Sequence, residues 1–376
     1  MAGYTPRERF FAAINHEEPD RVPIDLMGNA TMLLDDTYFR LRDHLGLDPI
    51  PPARKGATAN YYDERILKYF DIDFRRVFLK SNPETETIQL DNDTYLNGWG
   101  IGFQRTGLWV NATISPLHGA TTVKEVEAFD WPTAERLYSV EGLAEEAKRL
   151  YEETDYVIVA RNPLTYGFLD RCCTLQGMEE FFMTLALAPE VAEAMLVHVL
   201  EIYKGIYGMF LDAVGPYVQM VETGDDLGGQ NNPLISPKMY QQFIKPCEQA
   251  LHDLIREKTT YAAIFRHTDG AIFSLIPHLI EVGVDVLNPV QTSSQGMEAV
   301  GLKQAYGQNI TFHGAVEGFE GDEVTTDQIV AHVKRQLEPF APGGGYILGT
   351  CNHMINVKPE NIIALFEAAH EFGRYS

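Results

Sequence analysis

Groups able to ligate a cation or move a proton are concentrated in three short stretches of the sequence. The first reads Phe265-Arg-His-Thr-Asp-Gly270, with His267 and Asp269 two positions apart. At the end of an extended segment both side chains can turn toward one point, and imidazole and carboxylate are both zinc ligands. The competing reading is a histidine bonded to an aspartate that caps the next helix. The second stretch, Gly343-Gly-Gly-Tyr-Ile-Leu-Gly-Thr-Cys-Asn-His353, places Cys351 after a short apolar run. A thiolate there could complete a zinc site, and a buried inert thiol is the alternative. The third, Glu222-Thr-Gly-Asp-Asp-Leu-Gly-Gly229, offers Glu222 as a functional carboxylate. Asp226 reads as structural, and Asp225 as a substrate contact unless it caps a turn. His313, between Phe312 and Gly314, is a candidate catalytic contact. Plain hydrogen bonding is its alternative.

These groups can meet only if the fold carries them to one end of a sheet. Eight short apolar or β-branched runs predict strands at 22–26, 77–80, 157–160, 217–222, 261–266, 284–288, 310–312 and 346–348. Runs such as Val-Ile-Val-Ala, apolar on both faces, suit parallel strands covered by helices. Helical spacing marks 190–211, 237–258, 325–337 and 359–372, with Ser236 as N-cap and Pro237 at the first helical position of the second. Alternation of this kind predicts βαβ units, and eight strands favour a (β/α)₈ barrel formed as one domain over residues 1–376. Barrel enzymes react at the carboxyl ends of their strands. That face receives Asp25, Arg161, Asn162, Glu222, Asp225, Asp226, His267, Asp269, Asn288, His313, Cys351, Asn352 and His353. Asn162 and Asn288 are expected to contact substrate. Residues 85–117 break the alternation. Turn signals at Asp91-Asn92-Asp93 and Asn97-Gly98 predict an antiparallel hairpin inserted after the second strand, placed to cover the mouth or to serve an interface.

Composition narrows the function. The 376 residues are 45% hydrophobic, enough for a large core. A net charge of −23 disfavours nucleic acid and anionic membranes. No uninterrupted apolar run spans a bilayer, and the start leads into a charged amphipathic helix rather than a signal sequence, so a cytoplasmic protein is expected. Four cysteines do not make a disulfide scaffold. Neither Gly-x-Gly-x-x-Gly after a strand nor a Gly-Lys-Ser/Thr phosphate loop occurs, so no nucleotide cofactor is indicated.

Over nearly its whole length the chain resembles the uroporphyrinogen decarboxylase superfamily, and within it the corrinoid-dependent methyltransferases that act as O-demethylase components. The motifs are Asp20-Arg-Val-Pro-Ile-Asp25, Glu222-Thr-Gly-Asp-Asp-Leu-Gly228, Pro233-Leu-Ile-Ser-Pro-Lys-Met-Tyr240, His267-Thr-Asp-Gly270, Ile280-Glu-Val-Gly-Val-Asp-Val-Leu-Asn-Pro-Val-Gln291 and Pro359-Glu-Asn-Ile362. The decarboxylase's amino-terminal arginine pair is missing, since the matching stretch is Leu26-Met-Gly-Asn-Ala30. Methyltransferases of this branch bind zinc through a His-x-Cys pair and a later Cys. The resemblance therefore implies zinc on His267, Asp269 and Cys351, with Asp269 in place of the first Cys. A carboxylate leaves the metal a stronger Lewis acid toward oxygen than a second thiolate would, which suits an ether. The implied reaction takes a methyl group from a methoxylated aromatic to a Co(I) corrinoid on a partner protein. Glu222 would join the metal or protonate the leaving phenolate. Alternatives on the same fold are methyl transfer from corrinoid to a thiol or tetrahydrofolate, and decarboxylation of a carboxylated ring, for which Arg161 and Arg266 are the strand-end cations. A homodimer is compatible with the sequence, and so is a non-enzymatic corrinoid-binding or assembly module.

Overall fold

The computed structural model describes residues 3–54, 58–85, 87–321 and 323–375. Seven parallel strands form one sheet in chain order: β1 (Phe74–Val77), β2 (Val157–Ala160), β3 (Met220–Gly224), β4 (Ala263–His267), β5 (Val286–Val290), β6 (Thr311–Val316) and β7 (Tyr346–Thr350). The eighth position is filled by the segment 22–26. Ile24 bridges Leu348 of β7 in parallel, and on its other side the Asp73 N–H donates to the Ile24 carbonyl at 3.1 Å. The sheet thus curls into an α/β barrel. The first predicted strand is only a bridge, because Pro23 has no N–H for a ladder and Met27 turns the chain away with φ of 60°.

The strand expected at 77–80 begins three residues earlier, at Phe74. Arg75 and Arg76 lie inside it and are buried, which an apolar-run criterion cannot anticipate. Arg75 is tolerated because it pairs with Glu64 at 2.7 Å and lies over the Tyr156 ring at 3.6 Å. Arg76 points into the barrel. Alternate residues of a strand face the same way. Phe74, Val157, Val159, Met220, Ala263, Phe265, Val286 and Ile347 fill the amino end of the barrel, plugged by Phe10 of the helix Pro6–Ile14. Two residues further along the same strands come Arg76, Arg161, Glu222, His267 and Asn288. Period-2 geometry alone therefore lifts an apolar floor into a polar upper layer.

The helix expected over 237–258 is broken into Pro237–Met239, a π turn at Tyr240–Ile244, and Lys245–Lys258. Pro246 supplies no N–H and its ring crowds the turn before it, and the widened turn accommodates both. The helix at 190–211 extends to Pro189–Val214. With the following turn it is long and apolar enough to cross a membrane, but half of that window is buried, and Glu193 and Glu201 occupy its exposed side. Between β1 and β2 lies an antiparallel sheet of four strands, Ile88–Gln89, Thr94–Leu96, Gly102–Thr106 and Trp109–Ile114. The Asp91 carboxylate turns the first connection by accepting the N–H groups of Asp93 and Thr94. The Gly343–Gly345 run meets the chain's own amino-terminal segment: a Cβ at Gly344 would lie 2.4 Å from the Glu17 carbonyl.

Asp73 holds the closure. Its buried carboxylate accepts from Arg9 at 2.5 Å, from Arg21 at 2.7 Å and from the Ile24 N–H at 2.8 Å. Asp73→Ala removes the buried carboxylate shared by two largely buried guanidinium groups, leaving Arg9 with Asp20 and Arg21 with the exposed Asp71, and it removes one seam of the barrel. It should cost about 3–5 kcal/mol of unfolding free energy, read as a lower urea midpoint with an unchanged slope. A loss under 1 kcal/mol would show that the seam is held elsewhere.

Candidate functional site

A cavity of about 820 Å³ opens at the carboxyl ends of the strands. His267 ends β4 and lines it, together with Asp226 from the loop after β3 and His353 from the loop after β7. Atoms of Asp226, His267 and Asp269 that could ligate a cation all lie within 4.8 Å of one another. The His267 Nε2 is 3.4 Å from Asp226 Oδ1, and that oxygen also accepts the Asp269 N–H at 3.1 Å. Asp269 Oδ1 is buried and has no hydrogen-bond partner among the described residues. Burial raises the Asp269 carboxyl, nearby His267 opposes this, and Asp226 adds to it.

The tautomer of His267 is fixed from behind by a chain of buried side chains. His267 Nδ1 meets Asn288 Oδ1 at 2.8 Å, Asn288 Nδ2 meets His313 Nδ1 at 2.8 Å, and His313 Nε2 meets Asp25 Oδ2 at 2.9 Å. An Asp25 carboxylate only accepts, so His313 Nε2 carries the proton and its Nδ1 accepts from the Asn288 amide. The Asn288 carbonyl then accepts from His267 Nδ1–H, and the lone pair of Nε2 is left facing Asp226. An orphaned carboxylate oxygen, a second carboxylate and an oriented imidazole lone pair fit a divalent cation of the zinc class.

The chain of contacts continues past Asp25. Arg76 reaches Asp25 at 2.6 Å and Glu222 at 3.0 Å, all three side chains fully buried, and Arg161 meets the other Glu222 oxygen at 2.8 Å. Gly28 is required beside this row, because a Cβ there would fall 2.0 Å from the Arg76 guanidinium. Burial would raise the Asp25 carboxyl, but the Arg76 charge and the His313 hydrogen bond outweigh it and hold it far below the usual carboxylate range. Glu222 is lowered in the same way, with Arg161 and Arg76 overcoming desolvation.

Several expected roles change. Glu222 was expected on the metal or as a proton donor, but a carboxylate kept ionised by two arginines has no proton to give at neutral pH. His313 is fully buried behind Asn288 and reaches the cavity only through it. Asn288, expected at the substrate, instead links the two histidines. The Asp225 carboxylate accepts the Leu169 and Asp170 N–H groups at 2.5 and 3.0 Å. It thus caps the helix Phe168–Gln176, whose own N-cap is Gly167, and it also lines the cavity. Asn162 lines the cavity, its carbonyl taken by Leu164 N–H and Tyr207. The Cys351 sulfur lies outside the carboxylate–histidine group and donates to the Val290 carbonyl at 2.9 Å. Burial pushes this thiol well above its ordinary value, with Glu317 and Asp269 adding to the effect. Arg266 turns away from the mouth to Glu248, at 2.6 Å. Asp226, read as structural, joins His267 and Asp269 instead. Its only sequence signal was adjacency to Asp225 at a strand end. Arg76 was missed because it precedes the apolar run.

The uroporphyrinogen decarboxylase (URO-D) family matches residues 119–372 of the chain. Curated proteins give no match. Among solved structures, a methyltransferase from Methanosarcina mazei is 18% identical, covers 98% of this chain and 99% of its own, and superposes with a TM-score of 0.63. Xylanase 10B from Thermotoga maritima is 11% identical over 62% of this chain and 80% of its own, with a TM-score of 0.37.

Two outcomes follow. Asn288→Ala should weaken zinc binding about 10–100-fold in calorimetric titration, since the imidazole loses its orienting partner, and an unchanged affinity would remove the role given to Asn288. The lowered Asp25 carboxyl stabilises the fold above its unfolded pKa of about 3.9. That stabilisation is lost as pH falls below this value, so Asp25→Asn should be less stable than wild type at pH 7 and the gap should narrow toward pH 2. A constant gap in denaturant midpoints across that range would contradict it. The match over residues 119–372, more than half of the chain, places it in the uroporphyrinogen decarboxylase family.

Proposed function

We propose that the chain is a methyltransferase that takes the methyl group of a methyl ether, carried on an aromatic ring, and passes it to a Co(I) corrinoid borne by a separate protein. The observation that carries this reading is the ligand set Asp226, His267 and Asp269, of which Asp226 and His267 line a cavity of about 820 Å³. A zinc ion held there would act as a Lewis acid toward the ether oxygen, weakening its bond to the methyl carbon. The all-oxygen-and-nitrogen set favours oxygen over a soft thiol as the activated group.

The chain's own residues orient and enclose. Asn288 keeps the His267 lone pair turned toward the two carboxylates. Phe78, Leu79, Tyr138 and Leu164 give the cavity an apolar wall against which a ring can lie. His353 Nδ1 accepts the Met32 N–H at 3.2 Å, which leaves its Nε2–H as a donor. Burial, Arg161, His267 and Arg54 together push this imidazole down to about 3, so it stays neutral at working pH. Likeness to the Methanosarcina mazei methyltransferase extends to the fold; the ether as methyl donor is read from the ligand chemistry.

The test is methyl transfer from a panel of aryl methyl ethers to a reduced corrinoid protein, with zinc present. Transfer with at least one ether is expected, and His267→Ala should lower its rate by roughly a hundredfold or more. No transfer from any ether, together with methylation of a thiol from methyl-corrinoid, would reverse the assignment.

A further inference from the structure

The π turn at Tyr240–Ile244 changes which side chains of its helix share a face. Successive residues of an α-helix are rotated by about 100°, so positions eight apart in an unbroken helix stand about 80° apart. A π turn takes up one residue more than an α turn, which brings the later position back to about 20° from the first. Tyr240 and Glu248 therefore lie on one face, and the Tyr240 hydroxyl donates to Glu248 Oε2. The other oxygen, Glu248 Oε1, accepts from Arg266 Nε at 3.0 Å and from its Nη2 at 2.6 Å. All three side chains are buried.

The remaining nitrogen of Arg266 reaches the backbone beside the candidate cation site. Arg266 Nη1 donates to the Asp225 carbonyl at 2.8 Å and to the His267 carbonyl. The His267 carbonyl also accepts the Asp225 N–H, at 3.1 Å. Asp225 precedes Asp226, so these bonds join the backbone at one candidate ligand to the backbone at another. A second tie follows Asp226, where the Leu227 N–H donates to Thr268 Oγ1 at 3.0 Å. The two loops lie so close that a Cβ at Gly228 would fall 2.4 Å from the Asp269 carbonyl. We infer that Arg266, anchored by Glu248 and Tyr240, is a positioning residue that sets the separation of Asp226 and His267, and with it the affinity of the site for a divalent cation. A guanidinium suits this task because its planar donors reach Glu248 and both carbonyls at once, whereas a single ammonium on a shorter stem does not. The inference rests on Asp226, His267 and Asp269 holding a cation, and not on the identity of the methyl donor.

The test is calorimetric titration of the full-length protein with zinc, on wild type and two variants. Arg75 provides the control, because it too is a buried arginine bonded to a glutamate and to backbone carbonyls, those of Ile72 and Phe74. Arg266→Lys should weaken zinc binding about 10–100-fold, while Arg75→Lys should leave it within about twofold, although both lower the urea midpoint. Equal zinc affinities of Arg266→Lys and wild type would overturn the role given to Arg266, and so would equal losses in the two variants. Where Arg266→Lys does not fold, Tyr240→Phe takes its place. It keeps the guanidinium and the carboxylate and removes one hydroxyl, so zinc binding should weaken roughly threefold or more, and an unchanged affinity would overturn the role. Amide exchange of the zinc-free protein separates the positioning from the cation itself. Faster exchange of the Asp225 N–H in Arg266→Lys, with no zinc bound by wild type, leaves the hold on Asp226 and His267 standing and removes the cation reading.

Discussion

Everything at the mouth of this barrel depends on one buried guanidinium. Arg76 stands inside the closed sheet with no exposed surface, between Asp25 and Glu222, which have none either. Removing a charge from water costs several kcal/mol, and it is tolerated only when partners of good geometry replace the solvent. Asp25 and Glu222 supply those partners, and each is thereby committed to a second neighbour, His313 on one side and Arg161 on the other. The orientation of His267 is then inherited through Asn288. A row of fixed protons runs from the centre of the barrel to the candidate cation site, and it leaves one lone pair facing the cavity.

That row also explains a division of labour among the carboxylates. Those in contact with arginine, Asp25 and Glu222, are held ionised and serve as structure. Those that are buried without a cationic side-chain partner, Asp225 and Asp269, are pushed upward by desolvation. Asp225 is bound to backbone N–H groups and anchors a helix. Asp269 has an oxygen with no partner among the described residues, and this is why the group of Asp226, His267 and Asp269 reads as a place for a cation rather than as another internal ion pair.

Much of the fold was legible from periodicity. The runs at 157–160 and 346–348 and the helix Pro359–Phe372 stand where spacing put them, because both faces of those strands are covered and the helix opens on a proline. The first turn of the barrel was less legible. Arg75-Arg76 reads as polar sequence before a strand, and only the three-dimensional arrangement of Glu64, Asp25 and Glu222 makes it a strand interior. The site was half legible. His267 and Asp269 come from one stretch and remain together, whereas the exchange of Cys351 for Asp226 turns on the direction of a thiol that donates to Val290. Sequence spacing carries no such information. Family resemblance pointed to the thiol, and local geometry points to the neighbouring carboxylate.

On the reading proposed above, the cation is held by oxygen and nitrogen alone. X-ray absorption of the zinc-loaded protein measures this directly. Oxygen and nitrogen neighbours at about 2.0–2.2 Å and no sulfur are expected. A sulfur scatterer at about 2.3 Å, lost on Cys351→Ala, would place the thiol on the metal and contradict it.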